Sequence, residues 1–466
     1  MFDQHPKSTV NVNLKHFLSY AAWGFLILIR LNLDTARRVS KSYDRPFPGL
    51  HRPPPLKTRI HMSNVHLSKK SRSKLWFLVH SWLALPIWFF VLIVCVTGTL
   101  AVVSQEIVWL ANPDIRASKP SEDARMLSFD QVIAAIKREE PQVIVQSIIR
   151  PDETHFALSV DLSYPDGRSV EVYVNPYTGA IQGISPAFNF KQFTRALHGW
   201  WLVPFTNGFS WGWYLVSALG LPLLASLVTG LVVYKRFWKG FLRPTLRIRH
   251  GARIVWGDFH RLSGIWSIWF IAVISITGTW FLIQAILGDN QISISSEPIV
   301  PVIAREKVPM SAPGVPAPMI PLDDAIGIAT QRIPGLDATF VFLPLNAYSH
   351  LQIGGRGWYP LMFQTAQLNP YSGEIAVSHL LSDRSTLEFV TESMRPLHTG
   401  DFGGLWIKLI WAFFGLVLSM MVLSGLLIWT KRTALATLNA LKREAKTQRA
   451  PAAALAMQAE TSEANS

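Results

Sequence analysis

The sequence predicts a membrane α-helical protein with four transmembrane helices in two tandem halves, each half carrying an inserted α+β domain outside the bilayer. Three observations predict it: apolar runs of spanning length, basic residues gathered beside those runs, and an internal repeat. Over 466 residues the chain is 49% hydrophobic and only 16% charged, with a mean hydropathy of +0.24. That composition lies outside ordinary soluble proteins. Crossing ~30 Å of hydrocarbon takes ~20 apolar residues, and four segments supply them: 75–103 (helix A), 211–234 (helix B), 256–287 (helix C) and 405–429 (helix D).

The net charge of +14 is explained by position. Lys69, Lys70, Arg72 and Lys74 precede helix A. Lys235, Arg236, Lys239, Arg243, Arg247, Arg249 and Arg253 fill the B–C connection, and Lys431, Arg432, Lys442, Arg443, Lys446 and Arg449 follow helix D. Basic residues beside spanning helices mark the cytoplasmic side, so the A–B and C–D connections face outward and the C-terminus faces inward. The distribution assigns the charge to topology and membrane lipid, and nucleic acid is not an expected partner. The single cysteine, Cys95, lies in helix A, which excludes intrachain disulfides, four-cysteine iron–sulfur clusters and covalently attached c-type haem.

The implied division runs as follows: a basic cytoplasmic or interfacial extension, 1–73; helix A, 74–105; exterior domain 1, 106–197; helix B with its entrance, 198–234; a basic loop, 235–255; helix C, 256–287; a Pro-rich linker and exterior domain 2, 288–397; helix D with its entrance, 398–430; and a cytoplasmic tail, 431–466. Within the extension, 17–29 is apolar but too short to span, so it reads as an interfacial helix. Met62 offers a second natural start, which leaves open whether residues 1–61 belong to the protein.

The repeat is read residue by residue. Trp76, His80, Phe90 and Thr97-Gly98-Thr99 of helix A return at one fixed offset as Trp256, His260, Phe270 and Thr277-Gly278-Thr279 of helix C. Arg195-Ala-Leu-His198-Gly introduces helix B and Arg395-Pro-Leu-His398-Thr-Gly introduces helix D; the two helices carry Thr229-Gly230 and Ser424-Gly425 near their ends. Outside, helical stretches 128–140 and 322–333 each precede strand-like sequence and then Asn175-Pro176-Tyr177-Thr178-Gly179 or Asn369-Pro370-Tyr371-Ser372-Gly373. Alternating apolar residues around an Asn-Pro-x-x-Gly turn predict a hairpin. Each exterior domain is expected to be one helix on an antiparallel sheet.

These exterior motifs resemble a PepSY domain, and the four helices with their Leu-His entrances resemble the PepSY-associated transmembrane family, over about residues 74–432. The resemblance implies a bacterial inner-membrane protein with periplasmic PepSY-like domains, of the kind that includes iron-regulated proteins and ferric-siderophore reductases.

A histidine near a helix end is ordinarily a packing or interfacial residue, but four in two matched pairs are not ordinary. If the halves are related by an axis along the membrane normal, His80 and His260 share the cytoplasmic level and His198 and His398 the exterior one. The stretch from His80 to Thr97 covers ~25 Å at ~1.5 Å per residue, most of the bilayer. Two imidazoles at each level form the axial set of a six-coordinate b-type haem, so two haems b are expected with these four residues on the iron. Gly98 and Gly278 at the exterior level, and Gly230 and Gly425 at the inner one, offer flat space beside the porphyrin. Close helix packing is the alternative use of such residues. Arg195 and Arg395 suit haem propionates, or else anchor the membrane interface. Trp76 and Trp256 read as aromatic-belt residues.

Two stacked haems conduct electrons. No glycine-rich nucleotide fingerprint is present, so the donor is an unidentified cytoplasmic protein or reductant, or a quinol. The resemblance implies a ferric siderophore as the periplasmic acceptor, whose iron is released as ferrous ion. The chain is then a transmembrane oxidoreductase with no catalytic side chain of its own. The rival reading is a non-enzymatic PepSY membrane protein that binds a peptide, a siderophore or a partner enzyme. A siderophore permease is disfavoured by four spans and no broken helix at the midplane.

Overall fold

The computed structural model describes residues 69–430, apart from 235, 236, 293 and 295–297, together with residue 439. The interfacial stretch 17–29, the start at Met62 and nearly all of the tail 431–466 lie outside the described residues.

Four helices are long and apolar enough to cross a membrane: Leu75–Val102, Trp211–Val233, Ile268–Asp289 and Gly404–Thr430. The first is built from α1 (Lys69–Ala84) and α2 (Trp88–Val102), joined by a tight turn at Leu85–Ile87. Pro86 sits in that turn and has no N–H to continue the ladder. A short α3 (Ser104–Ala111) follows.

The first exterior segment folds as α4 (Phe129–Glu139), β1 (Ile144–Ile149), β2 (Leu158–Ser163), β3 (Ser169–Val174) and β4 (Ile181–Ile184). Ser128 starts α4 with a capping box, reciprocated by Gln131, which satisfies two otherwise orphaned amides. After α5 (Phe190–Trp200), the second span comprises α6 (Trp211–Ala218) and α7 (Gly220–Val233). Then come α8 (Phe237–Leu242), α9 (Ala252–Trp266) and α10 (Ile268–Asp289). The helix expected over 256–287 is interrupted at Ser267, whose backbone leaves helical geometry, so His260 belongs to α9.

The second exterior segment contains β5 (Met310–Ala312), β6 (Val315–Pro316), α11 (Leu322–Arg332), β7 (Asp337–Phe342), β8 (Leu351–Arg356), β9 (Phe363–Leu368) and β10 (Ile375–His379). It is followed by α12 (Thr386–Thr399) and the last span, α13 (Gly404–Thr430). The Pro-rich stretch 299–321 is partly structured, since it forms the β5–β6 pair and buries Ile303 and Val308.

The strands form one antiparallel sheet in the order β10-β9-β8-β7-β1-β2-β3-β4. The two expected sheets are thus fused edge to edge through β1 and β7, which removes an exposed edge from each. Strands alternate buried and half-exposed residues, as a sheet with one covered face requires. Val132 and Ile136 of α4 pack with Val160, Leu162 and Val172; Ala325 and Ala329 of α11 pack with Val341, Ile353 and Ala366. Phe129, Ile133 and Leu343 touch both clusters and make the core continuous. The Asp130 carboxylate accepts the amides of Leu322 and Asp323 at 3.0 and 2.9 Å, so α4 caps the N-terminus of α11.

Both predicted hairpins are present. Asn175 and Asn369 accept the amides of Tyr177 and Tyr371 at 2.9 Å through their side chains, and Gly179 and Gly373 take positive φ values of 74° and 73°, open only to glycine without strain.

The spans pack as one bundle. Cys95, Leu227, Phe270 and Phe414, one from each, belong to a single apolar cluster with Trp411 and Leu418. Phe89, Leu215, Ile276 and Leu416 remain exposed on the outside, as expected of spans that face lipid.

Candidate functional site: two histidine pairs

α5 and α12 carry the exterior histidines before, not inside, the second and fourth spans. Trp201 and Leu202 adopt positive φ after α5, and Gly400 does so after α12, so each short helix ends in a left-handed turn before its span begins. This folds α5 against α2, where the His198 ring reaches Val94 and Gly98. The α12 helix likewise packs on α10, where His398 reaches Thr277.

The four histidines meet as two pairs. The ring centres of His80 and His260 are 6.3 Å apart with planes at 73°; those of His198 and His398 are 6.0 Å apart at 35°. Two imidazoles facing each other across one metal, with bonds of ~2.0–2.1 Å to nitrogen, place their ring centres ~6.4 Å apart. Both pairs fall within a few tenths of an ångström of that spacing. Among the described residues no three His, Cys, Asp or Glu side chains converge to hold a metal ion.

Hydrogen bonding fixes the tautomers. His198 donates from Nδ1 to the Val94 carbonyl (2.9 Å), and His260 from Nδ1 to the Met421 carbonyl (3.0 Å), with the Ser424 hydroxyl at 3.1 Å. His80 Nδ1 lies 3.0 Å from the Thr229 hydroxyl and His398 Nδ1 lies 2.7 Å from the Thr277 hydroxyl. Those two hydroxyls already donate their protons to the Ala225 and Val273 carbonyls at 2.8 and 2.7 Å. They therefore accept from the histidines. Every ring carries its proton on Nδ1, which leaves the Nε2 lone pair for a metal; a ligating imidazole is normally fixed by this kind of bond to its other nitrogen.

Three of the four glycines lie against the imidazoles. A Cβ at Gly98 would lie 2.7 Å from His198 Cε1, one at Gly425 3.3 Å from His260 Cε1, and one at Gly230 3.5 Å from His80 Cε1. Gly278 instead faces the Gly220 backbone at 3.8 Å from its would-be Cβ, the close helix packing that small residues allow. The sequence names Thr229, Thr277 and Ser424 only as members of the repeated small pairs, and their bonds to the histidines come from the structure. A Ser or Thr directly before each glycine was the available signal.

Above the exterior pair lies a cationic cluster. Arg195 and Arg395 stand three residues before His198 and His398, on the same helix face, and neither forms an ion pair among the described residues. Burial, and then the neighbouring Arg395 guanidinium, push the Arg195 pKa below the ordinary arginine value. Lys191, bonded to Gln105 at 2.7 Å, is lowered by burial and by Arg195. Lys191 is half-buried while Arg195 and Arg395 are exposed, and neighbouring cations favour an anion between them.

Similarity agrees with this architecture. An uncharacterized protein of Pseudomonas aeruginosa is 28% identical over 246 residues, 48% of this chain, and the match spans 60% of that relative's length. Residues 77–432 match the family described as PepSY-associated TM region, and the chain belongs to that family of membrane proteins.

Proposed function

We propose that this protein carries electrons across the bacterial inner membrane through two b-type haems, and delivers them to ferric siderophores in the periplasm. The observation that carries the proposal is the pair of histidine couples at bis-imidazole spacing, all four with Nδ1 engaged. His80 and His260 would hold the inner haem, and His198 and His398 the outer. When bound, haem supplies a one-electron iron couple at each level. The protein's own residues orient the four rings, and the Val94 and Met421 carbonyls with the Thr229 and Thr277 hydroxyls strengthen their basicity. The buried bundle around Phe270 and Trp411 excludes water between the levels. Arg195 and Arg395 would neutralise the propionates of the outer haem.

In this reading the two halves are related by an axis along the membrane normal, the basic loops are cytoplasmic and the fused sheet is periplasmic. The acceptor is the one the family resemblance implies. Reduction of its ferric ion weakens a hard-oxygen chelate, and the metal leaves as ferrous ion. The test is the spectrum of protein purified from haem-replete cells, before and after dithionite. About two acid-acetone-extractable haems per chain are expected, reoxidised on adding a ferric siderophore. A colourless preparation would favour the binding-module reading.

A further inference from the structure

A second site lies at the opposite end of the bundle from the sheet. An open groove of about 650 Å³ is lined by Arg247, His250, Arg253, Asp258, Arg261 and Ile428, with Arg247, His250 and Arg253 exposed to solvent. Asp258 organises it. Its side chain is only 2% exposed, and it accepts the Arg247 Nε and Nη2 at 2.9 Å each and the Arg247 amide at 3.1 Å. It also accepts Arg261 Nη2 at 2.9 Å. One buried carboxylate thereby fixes two guanidinium forks, and Arg261 is further braced against the Tyr234 ring, 5.8 Å away.

Three guanidiniums against one carboxylate leave the lining net positive. Arg253 makes no ion pair among the described residues. The first turn of α9, which carries Arg253 and Ile254, has no side-chain cap; the Ile254 and Val255 amides bond the Gly251 carbonyl at 3.0 and 3.2 Å, and the positive end of the helix dipole adds to the potential. Ile254 and Ile428 supply an apolar wall. Ile428 stands one turn beyond Gly425, which abuts His260, so the groove opens ~5 Å from the inner histidine level. Arg247 uses its Nε–Nη2 fork and Arg261 one Nη2 bond on Asp258, so the Arg253 guanidinium and the remaining N–H groups of the other two, beside a helix N-terminus, are what would meet a phosphate group. The groove lies between the loop before α9, α9 itself and the end of the last span, beside the basic segments read as cytoplasmic, and basic pockets on that side take anionic headgroups.

We infer that this groove binds a net-anionic phosphate ester, through Arg247, Arg253 and Arg261 held in place by Asp258. The phosphate is that of an anionic phospholipid headgroup or of a soluble phosphate-bearing molecule. The groove's chemistry does not depend on what the histidines hold.

The experiment is titration calorimetry on the full-length protein in neutral detergent with three probes: dioctanoylphosphatidylglycerol, dioctanoylphosphatidylcholine and glycerol phosphate. The phosphatidylglycerol is expected to bind, more weakly as salt rises, with at least a tenfold loss in Arg253→Gln and near-full affinity in Arg253→Lys. Arg253→Gln leaves every Asp258 ion pair intact, so its unfolding curve should match that of the unaltered protein. Glycerol phosphate binding as tightly as phosphatidylglycerol would identify a soluble ester as the source; phosphatidylglycerol alone would identify the headgroup. The inference is overturned if no phosphate probe binds, if phosphatidylcholine binds equally, or if Arg253→Gln and an Arg253→Gln/Arg261→Gln double variant bind as the unaltered protein does.

Discussion

Substituting alanine at the glycines that face the histidines should damage haem retention in an order set by contact distance. At Gly98 the new Cβ lies 2.7 Å from His198 Cε1 and 3.0 Å from Nδ1. Ordinary carbon contacts are ~3.5–4.0 Å, so the ring must retreat by ~0.8 Å. That exceeds the ~0.5 Å within which a metal-binding constellation has to be held. It also stretches the 2.9 Å bond from Nδ1 to the Val94 carbonyl, a contact whose net worth is ~0.5–1.5 kcal/mol. Disturbing such outer partners costs ~10–100-fold in metal affinity, or ~1.4–2.7 kcal/mol. At Gly425 the contact is 3.3 Å and needs a few tenths of an ångström, whereas at Gly230 it is 3.5 Å and fits. Pyridine-haemochrome content per chain should therefore fall by about half in Gly98→Ala, fall slightly in Gly425→Ala and stay unchanged in Gly230→Ala. Alanine favours a helix over glycine by ~0.8–1.0 kcal/mol, so a loss in Gly98→Ala does not come from helix propensity. Full haem in Gly98→Ala, or a larger loss in Gly230→Ala, would refute the assignment of these glycines to the imidazoles.

The histidine pairs should be separable: haem per chain falls by about half in His80→Ala, His260→Ala, His198→Ala or His398→Ala, and two changes within one pair add little. Retention of the full complement in both His80→Ala and His198→Ala would return these residues to packing roles. Alkaline phosphatase fused near Asp166 or Pro334 should be active and fused near Arg247 or Lys446 inactive; activity at Arg247 would invert the topology. Lys408, 8% exposed, bridges Glu106 and Glu153 at 3.1 and 2.9 Å. Lys408→Met strands both carboxylates, at a cost of ~3–5 kcal/mol. Its unfolding midpoint should drop, and recover when Glu106→Gln and Glu153→Gln are added; no recovery would assign the loss to packing.

Hydropathy made the spans legible because a membrane helix has to hide its backbone and show apolar side chains along its whole length. The Asn-Pro-x-x-Gly turns were legible because Gly179 and Gly373 meet a local conformational demand. The histidine pairing was legible only through the offset that matches His80 to His260, since no local pattern brings α1 to α9. What escaped depends on long-range placement. Asp130 reads as a first-turn acid of its own helix, yet it caps α11. Lys408 lies in an apolar run, yet it finds its partners in α3 and in the loop after β1. The turns at Trp201 and Leu202 were invisible, because neither residue favours positive φ and tertiary contacts impose it.

The fused sheet links the two helices that carry the exterior histidines. Along the order from β10 to β4, eight strands at ~4.8 Å separate the outer edges by at most ~34 Å. The α5 helix follows β4 and α12 follows β10, so the two helices start from opposite edges. At ~1.5 Å per residue they are ~16 and ~21 Å long, together about the width of the sheet. His198 and His398 stand near the C-terminal ends of these helices and meet at 6.0 Å. The contacts of His198 with α2 and of His398 with α10 hold that spacing, and the join between β1 and β7 links the two segments from which the helices start. Three residue pairs hold it, flanked by the Arg150 amide to Thr339 at 2.7 Å and the Leu343 amide to Gln146 at 2.8 Å, and the ion pairs Arg150–Asp337 and Arg356–Asp152 tie the same two segments together. The inner pair sits on α1 and α9, which no strand precedes directly, so the helix bundle alone sets its 6.3 Å.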